Sequence, residues 1–408
     1  MMRLTTLGNG LRVASRSMQS VETVAVGLYV DTGSRYEPVE LNGLAHLFEH
    51  MVFKGAGGRS AREISEAIEN VGGDLNASTD REGTAFYATL LAPDLALGVG
   101  LIADLIRRPH FEEGHLDTEK KVVGQELAEA EDTASDIIFD HLQSVAFPGQ
   151  PLGRSVLGDK ASLDLIRVED LVDWLDTHYR PNRLILVAAG KLDHDRLVDL
   201  AEAQFGDMAP ATAVLADPAN FVGGWRFDRR KSRQAQVAIG MPAPSWSDAN
   251  NFAAQLFADV VGVGASSRLF QELREQQGLA YSVSAMAQPF ADCGLFSVYV
   301  ATDRDDAMLA QEQVERVLAE AAAGMTVAEL ERAKALTKAA MLMSLESCWG
   351  QASYVATRLQ REGRLVEPAQ IVARLDAVSL DQARDAGKLM LAGPRALASV
   401  GGKIAKAA

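Results

Sequence analysis

His46, Glu49 and His50 are the residues whose types and spacing most directly imply chemistry in this chain. Around them Leu44, Leu47, Phe48 and Met51 recur with a helical period, so a helix is predicted whose apolar face is buried. His46 and His50 stand four residues apart and project from one helix face, one turn from each other. Two imidazoles so placed suit one Zn²⁺. Glu49 lies in the same arc, where a carboxylate can take a proton from a water that zinc has acidified. The order is H-x-x-E-H, the inverse of the commoner H-E-x-x-H. The bland alternative is two surface histidines on an ordinary helix.

A catalytic zinc usually takes three protein ligands, so a third is expected from elsewhere in the chain. Residues 116–130 read as a helix with Glu119, Val122, Val123 and Glu126 on one stripe. Two carboxylates on an otherwise apolar stripe are costly to bury unless paired or bound to metal. Glu126 as ligand and Glu119 as the partner that orients a ligand histidine satisfy that demand. On spacing alone the same residues also read as a solvated acidic face continuing to Glu129, Glu131 and Asp132.

The elements that carry these residues occur twice. Val24-Ala25-Val26-Gly27 recurs as Val237-Ala238-Ile239-Gly240, and the segment from Ala45 to Gly55 is matched by that from Ala254 to Gly264. Helical patterns at residues 64–71 and 269–277 follow, then strand-like runs at 84–91 and 294–301, then long helical patterns at 116–130 and 330–344. Each half thus reads as an α+β unit, a mainly antiparallel sheet layered with helices. Residues 1–208 form the first half and residues 225–408 the second. Residues 209–224, rich in Ala, Pro and Gly without a sustained period, form the linker. In the second half Gln255, Ala258, Asp259 and Ala340 stand where the first has His46, Glu49, His50 and Glu126. All 7 histidines precede residue 195, so the second half cannot hold a histidine-based metal site.

Composition narrows the function classes. The chain has 408 residues, 48% of them hydrophobic, which is ample for a large core. Its net charge of −15 and the lack of any long Lys/Arg cluster argue against nucleic acid as a partner. No apolar stretch is long enough to span a membrane. Cys293 and Cys348 make no disulfide framework. The opening residues read as a hairpin about Asn9-Gly10 rather than a secretory signal, so a cytoplasmic location is expected.

At this point the residues resemble a known family, the pitrilysin/insulinase-type zinc peptidases. The likeness is to the short-chain branch that includes the mitochondrial processing peptidase and its bacterial relatives. H-x-x-E-H is followed 76 residues after His50 by Glu126, with Glu119 seven residues before it. Asp31 to Arg35, Met51 to Gly55, Gly72 to Thr79, Tyr179 to Asn182 and Ser267 to Tyr281 are also similar, so the resemblance covers nearly the whole chain. It implies a pair of chains enclosing a chamber. It implies that an extended peptide is added as a strand along Asn76, Ala77 and Ser78, which by themselves read as an ordinary strand after a Gly-Gly turn. It implies that Arg274 and Tyr281 hold the substrate near the metal; by spacing alone they are a solvated helix residue and a strand residue. Val261 to Ala265 is not the extended glycine loop of the non-catalytic processing-peptidase subunit. The function expected is that of a zinc endopeptidase with one Zn²⁺ per chain, Glu49 as base, and short or unfolded peptides as substrates. Basic peptides are favoured by the negative charge. The chain is expected to work as a homodimer, or as a heterodimer with a related chain. The alternatives are a catalytic subunit silent without a metal-less partner, and a non-catalytic scaffold subunit.

Overall fold

The computed structural model describes residues 1–212 and 214–405. Residue 213 of the expected linker and residues 406–408 of the expected second half lie outside the described residues. Along the chain run β1 (Met2–Thr6), β2 (Arg12–Ser17), β3 (Thr23–Val30), α1 (Leu44–Val52), β4 (Gly55–Ala56), β5 (Arg59–Ser60), α2 (Ala61–Glu69), β6 (Asp74–Thr79), β7 (Thr84–Leu91), α3 (Leu95–Arg107), α4 (Glu113–Asp132), α5 (Ala134–Ala146), α6 (Lys160–Leu165), α7 (Val168–His178), β8 (Leu184–Gly190) and α8 (His194–Phe205). After the linker come β9 (Gly224–Asp228), β10 (Gln234–Ala243), α9 (Asn251–Gly262), β11 (Ala280–Pro289), β12 (Gly294–Asp303), α10 (Ala307–Gly324), α11 (Val327–Ser344), α12 (Cys348–Glu362), α13 (Pro368–Ala377), α14 (Leu380–Ala392) and β13 (Ala396–Val400).

Local chemistry explains the boundaries. The expected hairpin is β1 and β2, with Gly10 at φ 93° supplying the left-handed residue of its turn. The helix expected at 64–71 starts earlier, at Ala61, because Ser60 and Glu63 form a reciprocal capping box. The helical pattern at 269–277 is a π-helix over Phe270–Gln276.

The duplication read from the sequence extends to the sheets, with β1 the one strand of the first that has no counterpart among the described residues. One sheet runs β6-β7-β3-β8-β2-β1 and the other β11-β12-β10-β13-β9. In both, the first three pairings are antiparallel and the fourth parallel. β6 and β11 therefore occupy equivalent edges.

The compact units do not follow the linker. The first contains Met1–Leu127, Ser155–Asp217 and Met343–Val366; the second contains Ala128–Arg154, Pro218–Leu342 and the chain from Glu367 onward. Each unit thus takes a helix from the other half of the sequence, α12 in the first and α5 in the second. The physical reason is that each sheet is apolar on both faces. In β3 the side chains alternate between two cores. Val24, Val26, Leu28 and Val30 pack with α1, α2 and α3, while Ala25 and Tyr29 pack with Ala352, Val355, Ala356 and Leu359 of α12. A strand covered on both sides reads as a continuous apolar run. In the second unit Ile138, Leu142 and Val145 of α5 cover Ala238, Ala396 and Ala398, and α9, α10 and α14 lie against the sheet's strands as well.

Leu359 is fully buried in the layer between α12 and the first sheet. Leu359→Ala should destabilise the first unit by about 2–5 kcal/mol in chemical denaturation. A change below about 1 kcal/mol would show that α12 contributes little to that core.

Candidate metal centre

Helix α1 buries Leu44, Leu47, Phe48 and Met51, as its period demands, and this leaves His46, Glu49 and His50 half-buried on one side. Its start is held from a distance. Gly43 takes a left-handed conformation at φ 96° and offers no side-chain cap. Glu37, 4% exposed, replaces it. One carboxylate oxygen accepts from the Ala45 N–H at 2.8 Å; the other accepts from the Gly43 N–H at 2.9 Å and the Asn42 amide at 2.7 Å. A carboxylate there satisfies otherwise unpaired N–H groups and is favoured by the helix dipole.

Helix α4 supplies the opposing carboxylates. Glu119 and Val123 are buried on it and Glu126 is half-buried. The ring nitrogens of His46 and His50 and a Glu126 oxygen all lie within 4.8 Å of one another. Nε2 of His46 is 3.9 Å from Glu126 Oε2, and Nε2 of His50 is 3.7 Å from it. Tetrahedral zinc with bonds of 2.0–2.2 Å holds its ligand atoms roughly 3.3–3.5 Å apart, so the two distances to Glu126 come within a few tenths of an ångström of what such an ion needs. It is the only group of three or more potential metal ligands gathered in this way among the described residues.

The surrounding groups set the state of each member. His50 Nδ1 lies 3.0 Å from Glu119 Oε2, and Lys54 Nζ is 2.8 Å from Glu119 Oε1. An ionised carboxylate only accepts, so His50 carries its proton on Nδ1 and presents the Nε2 lone pair towards Glu126. Lys54 supplies the charge that a buried Glu119 needs. Burial, and then the neighbouring His50, lowers the pKa of His46 to about 4, so its ring is neutral near pH 7, the form that binds metal. Its Nδ1 is buried with no hydrogen-bond partner among the described residues. Burial raises the pKa of Glu49; a hydrogen bond from Thr79 and the nearby His50 ring oppose the rise, while Glu126 and Asp80 add to it. The Thr79 hydroxyl donates to Glu49 Oε2.

His46, His50, Glu126, Glu49 and Glu119 are thus brought together in the first unit. Asn76, Ala77 and Ser78 lie on the edge strand β6, which ends at Thr79 and so at Glu49. Arg274 and Tyr281 belong to the second unit. Arg274 sits in the π-helix with its guanidinium 4.9 Å from the centre of the Phe270 ring. Tyr281, on β11, is 54% exposed and donates to Asp303 at 3.2 Å. Sequence reasoning missed Glu37, Lys54 and Thr79 as parts of the site. Lys54 and Thr79 flank motifs that it did single out, but Glu37 precedes α1 by seven residues and no spacing rule reaches it.

In the second unit α9 takes the place of α1. There Asp259 has only the Thr337 hydroxyl, at 2.6 Å, as a hydrogen-bond partner among the described residues, and burial pushes its pKa up to about 6 from 3.8.

Residues 12–160 match the family model described as insulinase (peptidase family M16), and residues 166–337 match that described as the peptidase M16 inactive domain. Mitochondrial-processing peptidase subunit beta of Lentinula edodes is 34% identical over 397 residues, which cover 93% of this chain and 85% of that protein. An uncharacterized zinc protease of Rickettsia felis is 31% identical, covering 93% of this chain and 92% of that one. One from Streptomyces coelicolor is 32% identical, covering 98% and 89%. The crystal structure of a protease from Helicobacter pylori superposes with a TM-score of 0.90 over 98% of this chain and 99% of that chain; at 20% identity it speaks to the fold.

Two predictions follow from these environments. Glu37→Ala should cost about 1–3 kcal/mol of stability, because charged acceptor bonds at the start of α1 are lost. It should also loosen metal retention in a competitive chelator titration. An unchanged unfolding midpoint together with unchanged metal affinity would show that α1 holds its place without Glu37. Asp259 has a raised carboxyl pKa, so its contribution to stability is present at low pH and is lost as pH rises from 3.8 through about 6. Asp259→Asn should therefore raise stability at pH 7.5, by about 3 kcal/mol at most, with the gain vanishing below about pH 4. A gain that persists at low pH would rule out ionisation as its source.

Proposed function

We propose, on the premise that the chain belongs to the insulinase family of peptidases (peptidase family M16), that its first unit is a zinc-dependent endopeptidase centre. The observation that carries the reading is the convergence of His46, His50 and Glu126 from α1 and α4 beside Glu49. Those three residues would hold one Zn²⁺, which supplies an acidified water and a polarised peptide carbonyl.

The chain's own residues do the rest. Glu49 takes the proton from the attacking water and returns it to the leaving amine. Burial makes its carboxylate a stronger base, and Thr79 fixes the direction in which it points. Glu119, backed by Lys54, holds the His50 ring in one tautomer and one orientation. The open edge of β6 at Asn76, Ala77 and Ser78 receives an extended peptide. Because the next residue on that edge, Thr79, bonds to Glu49, the strand that aligns the substrate also aligns the base. Arg274 and Tyr281 hold substrate in this reading on the strength of the family resemblance, and both present polar groups on the second unit. Substrates are short or unfolded peptides enclosed by a pair of chains, and the charge of −15 favours basic ones.

A second reading concerns partnership. The similar mitochondrial-processing peptidases are named as beta subunits, so this chain works either as a homodimer or with a related chain that lacks the metal ligands. A scaffold role has less support, since the three ligands and Glu49 are all in place.

The purified chain should cleave a pool of short peptides, read by mass spectrometry, and a chelator should stop it. Glu49→Gln should still bind one zinc ion while turnover falls at least about 10²–10⁴-fold. Full turnover by Glu49→Gln would overturn the role given to this residue. An inert, zinc-loaded wild type that gains activity when a related chain is added would establish the heterodimer. Matched basic and acidic peptides cut at equal rates would discard the charge preference.

A further inference from the structure

We propose that a cavity in the second unit, beside α9, is a subsite for the positively charged side chain of an arginine or lysine in a peptide. The proposal rests on the peptidase reading for its ligand and on the second unit alone for its geometry. The cavity measures about 360 Å³. Helix α9 contributes Gln255 and Asp259 to it, β11 contributes Ser284 and Met286, and α5 and β12 contribute Phe139 and Tyr299. No basic residue lines it among the described residues.

Three features select a cation. The first is the unbalanced charge of Asp259. Its Oδ2 accepts from Thr337, and no cationic partner stands against it among the described residues. Burial disfavours its ionised form, which an entering guanidinium or ammonium would stabilise. The second is the ring pair. Phe139 and Tyr299 lie with centroids 5.4 Å apart and planes inclined at 35°. The Tyr299 hydroxyl is already used, donating to Gln236 at 2.6 Å, so what the residue offers a ligand is its ring. Aromatic faces attract cations, guanidinium above all. The third is Met286, 51% exposed, an apolar surface for the methylene stem of a long basic side chain.

Other ligands fit less well. An anion would meet the carboxylate of Asp259, and a neutral apolar group would bury it further without compensation. A metal ion would find one charged ligand, and no group of three metal-binding side chains gathers there among the described residues. In this cavity a preference for basic peptides would have a set of residues behind it, not net charge alone.

The test uses the full-length, zinc-loaded chain with Glu49→Gln, so that nothing is cut. Nα-acetyl-arginine methylamide and its uncharged citrulline counterpart are titrated and followed by NMR, with and without chelator. The arginine probe should bind at least about tenfold more tightly than the citrulline probe, the worth of a hydrogen bond to a charged group. Adding Asp259→Asn should abolish that difference. Adding Phe139→Leu, which alters an exposed ring, should weaken arginine binding severalfold and leave the fold intact. Removing the metal should leave all of this unchanged, separating the subsite from the first unit. Equal affinity for the two probes, or a preference that survives Asp259→Asn, would overturn the proposal. A chain that fails to cleave any peptide, alone and with a related chain added, yet passes this test refutes the peptidase reading and leaves a cation site. A chain that cleaves but fails it loses the subsite alone.

Discussion

The first unit turns on the buried carboxylate of Glu119. It accepts from His50 on one side and pairs with Lys54 on the other, tying α4 to α1 across 69 residues of chain. A carboxylate in that position is tolerable only when its charge is met, so the three side chains fix one another. Glu126 lies seven residues further along the same helix face, and the register that seats Glu119 on His50 also brings Glu126 to the two Nε2 atoms. At the other end of α1, Glu37 holds the helix start through three hydrogen bonds. A short helix pinned at its N-terminus and its C-terminal turn can present three side chains with little freedom.

The same frame was built twice, and the first copy alone carries the histidines and Glu126. The two sheets share strand order and pairing sense, and each uses a helix from the other half of the sequence to cover its second face. That exchange keeps β3 and its equivalent β10 buried on both sides, which is why their sequences read as unbroken apolar runs rather than alternating ones. At the position of the histidine-bearing helix, the second unit keeps a polar residue and a carboxylate, Gln255 and Asp259, in a cavity without the imidazoles that would make them a candidate metal site.

How much of this the sequence carried depends on the range of each interaction. His46, Glu49 and His50 were legible because their arrangement is set by one helical turn. The duplication was legible because it repeats local patterns in order. The pairing of Glu126 with the histidines could be expressed as a spacing only through a family resemblance, since a contact between two helices leaves no period in the chain. Glu37, Thr79 and the Glu119–Lys54 pair were missed as site parts for the same reason: each acts through a contact that the fold creates. The interleaved units were missed because a linker is a property of composition, whereas a compact unit is a property of packing. The π-helix at Phe270–Gln276 shares its apolar spacing with an α-helix closely enough over two turns that periodicity does not separate them.

Glu49 shows how the arrangement is balanced. Burial raises its proton affinity, which a base acting near neutral pH requires, but the same burial would favour the protonated and inactive acid. The hydrogen bond from Thr79 and the proximity of His50 pull the other way and favour the carboxylate. Of these two restraints His50 belongs to the candidate metal centre, while Thr79 belongs to the edge strand where a peptide would dock. Glu49 is therefore tied both to the place where water would be activated and to the place where a peptide would lie. Its half-buried position follows from that double attachment: an exposed carboxylate would lose the raised basicity, and a fully buried one could reach neither water nor substrate.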